Sequence, residues 1–172
     1  DISIYTYGDT IAAKKSSDLK ERVRIVNETQ NAILLSIHQN HYSDSYYSGA
    51  QMFYPKTAGS KELAGMLQNA FHKTLNPNNN RQIKPVQGVY LMRNINKTGV
   101  LIECGFLDNA QDRELLIDPK FQSALCDNFV EGILAYYKAA PQHSITLTPT
   151  TTTTTTTSSG ISTAPTTTDP SA

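Results

Sequence analysis

Residues 33–41 read ILLSIHQNH, and this short stretch predicts both a strand and a candidate site. The apolar run from Ala32 to Ile37 is rich enough in branched side chains for an interior strand. It is followed by His38, polar residues and a second histidine at position 41. Ligands of open α/β sheets bind just beyond the carboxyl ends of strands. His38 is therefore a candidate metal ligand, and a hydrogen-bonded structural histidine is the alternative.

A second apolar run, Val100–Ile102, leads in the same way into Glu103. A carboxylate at the end of so apolar a strand costs free energy unless it is paired, bound to a metal or used in catalysis. Imidazole is the commonest zinc ligand, and a glutamate that does not bind the metal is the usual proton carrier in zinc-dependent hydrolysis. The pattern allows one site built from His38 and Glu103, and leaves a purely structural role open for both.

Strand and helix patterns alternate along most of the chain, which predicts a layered α/β domain. The predicted strands are Ile2–Tyr5, Ala32–Ile37, Ala50–Tyr54, Val89–Met92 and Val100–Ile102. Four helices are predicted. The first is capped by Asp18 with Glu21 at its third position, and the second covers Leu63–Leu75. The third is short and runs from the cap Asn109 to Leu116, and the fourth begins with Pro119.

Composition excludes several classes of protein. The chain has 172 residues and no formal net charge, which suits one domain with a real core and argues against a nucleic-acid partner. No run of about 18 apolar residues is present, so no transmembrane segment is predicted. Cys104 and Cys126 lack CxxC spacing, and we expect both to be buried thiols.

The composition changes near Ala140. From Ser144 onward the sequence is mostly Thr, Ser and Pro, with an unbroken run over Thr150–Thr157. Such a segment has too few large apolar side chains to offset the entropy of ordering. We therefore predict a catalytic domain over residues 1–140 and a disordered tail over residues 141–172, which is either an exported stalk or a low-complexity end without a role.

Three blocks in order resemble zinc-dependent N-acetylmuramoyl-L-alanine amidases of the amidase type 3 family: SIHQN at 36–40, GAQMFY at 49–54 and LIECGFLDN at 101–109. The resemblance covers roughly residues 1–138. It implies a three-layer α/β domain with a mixed central sheet flanked by helices. It also implies a zinc cofactor, a peptidoglycan substrate, and an exported or cell-wall-associated protein that hydrolyses the amide between N-acetylmuramic acid and the L-alanine of the stem peptide.

The resemblance also assigns roles to individual residues. It makes His38 a zinc ligand and Glu103 the catalytic acid and base. The family's other two zinc ligands, a histidine after the first strand and a glutamate on the next helix, match no residue here. We therefore expect the first strand–helix unit to be missing before Asp1, and the fragment to be inactive alone. Arg93, near a predicted strand end, and Asn40 are the candidate substrate-binding residues, and a structural ion pair is the alternative for Arg93. His41 is expected to face solvent or the rim of the substrate site.

Two alternatives remain at this stage. The chain could be a non-catalytic module that keeps the fold and binds the cell wall, or another zinc peptidase such as a carboxypeptidase on a related layered fold.

Overall fold

The computed structural model describes residues 10–139 as a four-stranded sheet covered by helices. The predicted strand at residues 2–5 and the predicted tail therefore lie outside the described residues. The strands are β1 (Ile33–Asn40), β2 (Gln51–Tyr54), β3 (Lys84–Pro85) and β4 (Thr98–Phe106), and the helices are α1 (Ile11–Glu28), α2 (Ser60–Thr74), α3 (Tyr90–Asn94), α4 (Ala110–Ile117) and α5 (Pro119–Ala139).

The sheet is mixed, as predicted. Its strand order is β1-β4-β2-β3. Strand β4 pairs in parallel with β1 and antiparallel with β2, and β2 pairs in parallel with β3. Because β4 is covered on both faces and paired on both edges, it reads as a nearly continuous apolar run.

Alternate residues of β4 point to opposite faces of the sheet. Val100, Ile102 and Cys104 join the main core, to which α2 and α5 contribute leucine and phenylalanine side chains. Leu101 packs in a smaller cluster on the other face with Met92 of α3. Glu103 follows Leu101 at the strand spacing of two and so lies on that second face. The sheet thus separates a packed layer from a layer with room for a site.

The helices that pack on the main core match their predictions. Helix α2 buries Leu63, Leu67 and Phe71, which lie on one face of the predicted periodicity. Helix α5 begins with Pro119. The predicted cap Asn109 accepts a hydrogen bond from the backbone N–H of Asp112 at 3.1 Å, which starts α4.

Two predicted elements differ from the structure. The segment predicted as the strand Val89–Met92 is instead helix α3, because its apolar residues Val89, Met92 and Ile95 recur every three positions and cover one side of a helical turn. Helix α1 begins before Asp18, since Thr10 caps it by accepting from the Ala13 N–H at 3.2 Å.

Asp18 instead lies inside α1 and pairs with Arg22 at 3.0 Å. The first turns of α1 bury no residue, so they gave no periodic signal. Cys104 is buried as expected, but Cys126 is exposed on α5, so that prediction was wrong. No helix within residues 10–139 is long and apolar enough to cross a membrane.

Gly132 allows the close approach of α5 to α2. A Cβ atom there would lie 2.7 Å from Leu67 Cδ2 and 3.0 Å from Leu67 Cα. The backbone Cα atom cannot move cheaply, so overpacking outweighs the better helix propensity of alanine. We expect Gly132→Ala to lower the free energy of unfolding by about 1–2 kcal/mol in urea denaturation.

Gly65 on α2 provides the matched control, since nothing lies within 4 Å of its added Cβ. Gly65→Ala should raise the free energy of unfolding by up to about 1 kcal/mol. If both substitutions stabilise the protein equally, α2 and α5 do not depend on Gly132 for their contact.

Candidate active site

His38 and Glu103 are directly opposite each other on neighbouring parallel strands. The register of β1 against β4 pairs their Cα atoms, although 64 residues separate them in sequence. Paired residues of adjacent strands project from the same face of the sheet, so the two side chains are neighbours. The register becomes irregular between His38 and Asn40, at the carboxyl end of β1. The structure therefore brings together the two residues that the sequence singled out.

The carboxylate of Glu103 is the least satisfied polar group of this face. Its Oε2 atom is buried and has no hydrogen-bond partner among the residues that the structure describes. Burial raises the pKa of the Glu103 carboxyl above its usual range, and the nearby His38 imidazole offsets part of that shift. A buried carboxylate with no structural partner has the properties of a proton carrier.

His38 offers an imidazole beside that carboxylate. Its Nε2 atom lies 2.9 Å from the Ser36 hydroxyl, two residues earlier on the same face of β1. A hydrogen bond to one ring nitrogen fixes the orientation of the ring and leaves the other to a ligand. The second histidine, His41, is 78% exposed at its side chain, and its Nδ1 atom lies 2.8 Å from Asp108 Oδ2, so it faces solvent.

A cavity of about 420 Å³ opens over Glu103. Asn40 and Gln87 contribute polar groups to its wall, Lys84 a cation, and Phe53 an aromatic ring. Asn40 thus lines the same cavity as Glu103. The cavity is large enough for part of a ligand, and among residues 10–139 Glu103 is the one carboxylate that lines it.

Arg93 lies in a different place from the one predicted. It belongs to helix α3 rather than to a strand end, and it lines an adjacent cavity of about 520 Å³ together with Lys56. The two cavities share Val86 and Gln87 in their walls. Arg93 therefore lies beside the Glu103 cavity and not inside it.

Sequence reasoning missed two residues next to the site. Gln51 of β2 pairs with Glu103 across the sheet and is only 3% exposed. Arg81 donates to the Gln51 Oε1 atom at 3.2 Å and to the Ser48 carbonyl at 2.8 Å. The signal was a glutamine inside an otherwise apolar strand, because a buried amide requires a polar partner.

Arg81 is also held between two aromatic rings. Its guanidinium carbon lies 5.3 Å from the centre of the Tyr47 ring and 4.5 Å from that of Phe106. Burial lowers the pKa of Arg81 from its usual value. The hydrogen bonds of Arg81 and its contacts with the Tyr47 and Phe106 rings thus order the segment around the site.

Asp112 fixes the ends of the two strands that carry Gln51 and Glu103. Its Oδ2 atom accepts hydrogen bonds from the Gly49 and Phe106 N–H groups, both at 2.8 Å. A buried carboxylate that accepts hydrogen bonds from two backbone N–H groups holds the two segments firmly together. The geometry beside Glu103 is therefore set by buried hydrogen bonds and not by loops alone.

If zinc binds here, as is expected from the sequence, the residues of this site must be able to hold it. Catalytic zinc usually takes three protein ligands and an open position. Within residues 10–139 no group of three His, Cys, Asp or Glu side chains could hold a metal ion. His38 has the donor chemistry of a zinc ligand, and the partnerless oxygen of Glu103 lies beside it. The described residues therefore offer donor groups that suit zinc, but fewer than a catalytic zinc site uses.

The fold is a layered α/β domain, and an imidazole and a carboxylate are paired at the end of its strands. These two features define the class of protein: an α/β domain with a site of the kind that hydrolases use. The chain matches the sequence profile of the amidase type 3 family, described as N-acetylmuramoyl-L-alanine amidase, over residues 4–135. The chain belongs to this family, and the resemblance predicted from its three blocks is confirmed.

The relatives and solved structures agree. A germination-specific N-acetylmuramoyl-L-alanine amidase of Bacillus subtilis is 38% identical over 125 residues, which are 72% of this chain and 52% of that protein. The amidase LytC of the same species is 28% identical over 70% of this chain and 24% of its own length. The chain thus spans about half of the first relative and about a quarter of the second.

The CwlD amidase of Clostridioides difficile, solved in complex with the GerS lipoprotein, superposes with a TM-score of 0.73 at 35% identity over 78% of this chain and 71% of that chain. An N-acetylmuramoyl-L-alanine amidase of Clostridium difficile 630 gives a TM-score of 0.65 at 30% identity over 71% of this chain and 66% of that chain. The predicted α/β class with a mixed sheet is therefore confirmed.

Proposed function

We propose that these residues form the catalytic part of a zinc-dependent peptidoglycan amidase, which hydrolyses the bond between N-acetylmuramic acid and the L-alanine of the stem peptide. The proposal rests mainly on Glu103, whose buried Oε2 atom has no partner among residues 10–139. Among residues 10–139 no hydrogen bond to Oε2 offsets the cost of burying this carboxylate, which favours a catalytic role over a structural one. The same substrate implies an exported or cell-wall-associated protein.

Glu103 acts as the proton carrier in this proposal. Its carboxylate takes a proton from the attacking water and returns it to the leaving amine. The raised pKa of Glu103 suits both steps, since a carboxyl group that holds its proton more tightly is a better base when ionised. Asn40 lines the same cavity, which supports a role for it in binding the substrate.

His38 would hold the zinc ion, together with ligands from outside the described residues. Zinc, when bound, supplies Lewis-acid chemistry that polarises a carbonyl group and makes water more acidic. The role of the chain's own residues is to orient the imidazole, which Ser36 does at 2.9 Å, and to keep Glu103 unpaired and ready to accept a proton.

Product analysis tests this function. The protein expressed from its complete reading frame is incubated with a defined disaccharide–peptide, and the products are separated and identified by mass spectrometry. We expect an intact disaccharide and a stem peptide with a free amine on its L-alanine, and far less of both from the Glu103→Gln variant in the same time. A carboxypeptidase would instead release the terminal D-alanine, and a binding module would release nothing, so either outcome would reject the proposal.

A further inference from the structure

The Glu103 cavity is the middle section of a longer groove. On one side it shares Val86 and Gln87 with the cavity that Lys56 and Arg93 line. On the other side it shares Asn40 and Lys84 with a third cavity, of about 240 Å³. The three cavities follow strands β2 and β3 from the Gln51 end to the segment after Pro55. Glu103 lines the middle cavity and lies opposite Gln51 on the neighbouring strand.

One end of the groove is aromatic, and we call it the tyrosine end: Tyr42, Tyr47, Arg81 and Phe106. Tyr42 and Tyr47 meet edge to face with ring centres 4.9 Å apart, and both are substantially exposed. The guanidinium of Arg81 already binds a carbonyl, an amide and two rings. Lys84, which this cavity shares with the Glu103 cavity, is the cation at its inner border. Beyond Lys84 this end offers aromatic rings and hydroxyl groups.

The other end is cationic, and we call it the cationic end: Lys56 and Arg93 against an aliphatic wall of Pro55, Met92 and Ile95. Both cations are exposed. Among residues 10–139 no carboxylate lies within ion-pair distance of either of them. None of the described residues that line this cavity is acidic, so its two charges are available to a ligand.

We propose that the substrate lies along this groove in one direction, with its anionic stem peptide over the cationic end and its glycan over the tyrosine end. This inference rests on the proposed function. The stem peptide carries free carboxylates, whereas the N-acetylated sugars have no charge and present ring faces that suit aromatic side chains. The bond to be cleaved joins the two parts, and Glu103 lines the middle cavity, which connects the two ends. Lys56 and Arg93 are thus specificity residues for peptide carboxylates.

Binding, measured without turnover, tests the direction. Amide resonances of the ¹⁵N-labelled 172-residue chain are followed during titration with three ligands. They are a sugar-free stem peptide, the same peptide with amidated carboxylates, and a peptide-free disaccharide whose lactyl carboxyl group is amidated so that it has no charge. We expect the peptide to shift the amide signals of Thr57 and Gly88, and the disaccharide to shift that of Ser48. Amidation should weaken peptide binding, and Lys56→Gln with Arg93→Gln should weaken it by about five- to tenfold.

Lys120→Gln with Lys138→Gln is the matched control, because it removes the same charge from α5, which packs on the opposite face of the sheet. It should leave peptide binding unchanged. The inference is overturned if this control weakens binding equally, if the peptide shifts Ser48 instead of Gly88, or if neither half of the substrate shifts any groove residue. These outcomes are separate from the product analysis, which decides the proposed function by itself.

Discussion

Replacing Glu103 by glutamine is expected to lower turnover by about 10²- to 10⁴-fold or more, in the protein expressed from its complete reading frame. Glutamine keeps the size of the side chain but cannot accept the proton of the attacking water. Because Glu103 is proposed as a proton carrier and not as a ligand, zinc content by elemental analysis should stay near that of the parent. Near-normal turnover would mean that another residue is the base, and loss of zinc would mean that Glu103 is a ligand.

Stability provides the control for that variant. Burial raises the pKa of Glu103 in the folded state, so folding favours the protonated carboxyl group. The stability linked to this proton is fully present below the ordinary glutamate pKa of about 4.3, and it is lost as pH rises through the raised pKa. The Glu103→Gln variant does not lose this stability as pH rises, because a glutamine side chain does not ionise. Thermal unfolding should therefore show it at least as stable as the parent at neutral pH, with the difference shrinking toward acid pH. A lower unfolding temperature at neutral pH would show that the carboxylate has a stabilising partner.

Much of the fold was predictable because its main elements have strong local patterns. The apolar runs of β1 and β4 are long enough for interior strands, and the core face of α2 recurs at helical spacing. Helix α3 was mistaken for a strand, since five residues are too few to distinguish a period of two from one of 3.6. The solvent-exposed start of α1 carried no apolar stripe at all.

The site was predictable only in part, for a physical reason. His38 and Glu103 each follow an apolar run, which is a local feature, but their pairing depends on the register between β1 and β4, which is set by packing. The three matched blocks supplied that link. Arg81 reaches Gln51 from a segment 30 residues away, and Lys56 meets Arg93 in one cavity only because α3 packs near the segment after β2. No sequence pattern encodes such contacts.

Replacing His38 by alanine is expected to remove both zinc and activity from the protein expressed from its complete reading frame. The substitution deletes an imidazole ligand, so the metal content by elemental analysis should fall well below one ion per chain. This distinguishes it from Glu103→Gln, which should lose turnover and keep the metal. If His38→Ala retains zinc, His38 is not a ligand and its pairing with Glu103 has another purpose.

His41→Ala is the matched control, because it removes an imidazole three residues away whose Nδ1 atom lies 2.8 Å from Asp108. It should keep both zinc and activity. The 172-residue chain alone should bind zinc weakly in calorimetric titration, since residues 10–139 hold no group of three ligands. A tight site in that chain, abolished by His38→Ala, would mean that it supplies the remaining ligands itself. If His41→Ala abolished that site as well, His41 would be one of those ligands, and the register pair of His38 and Glu103 would be only part of the metal centre.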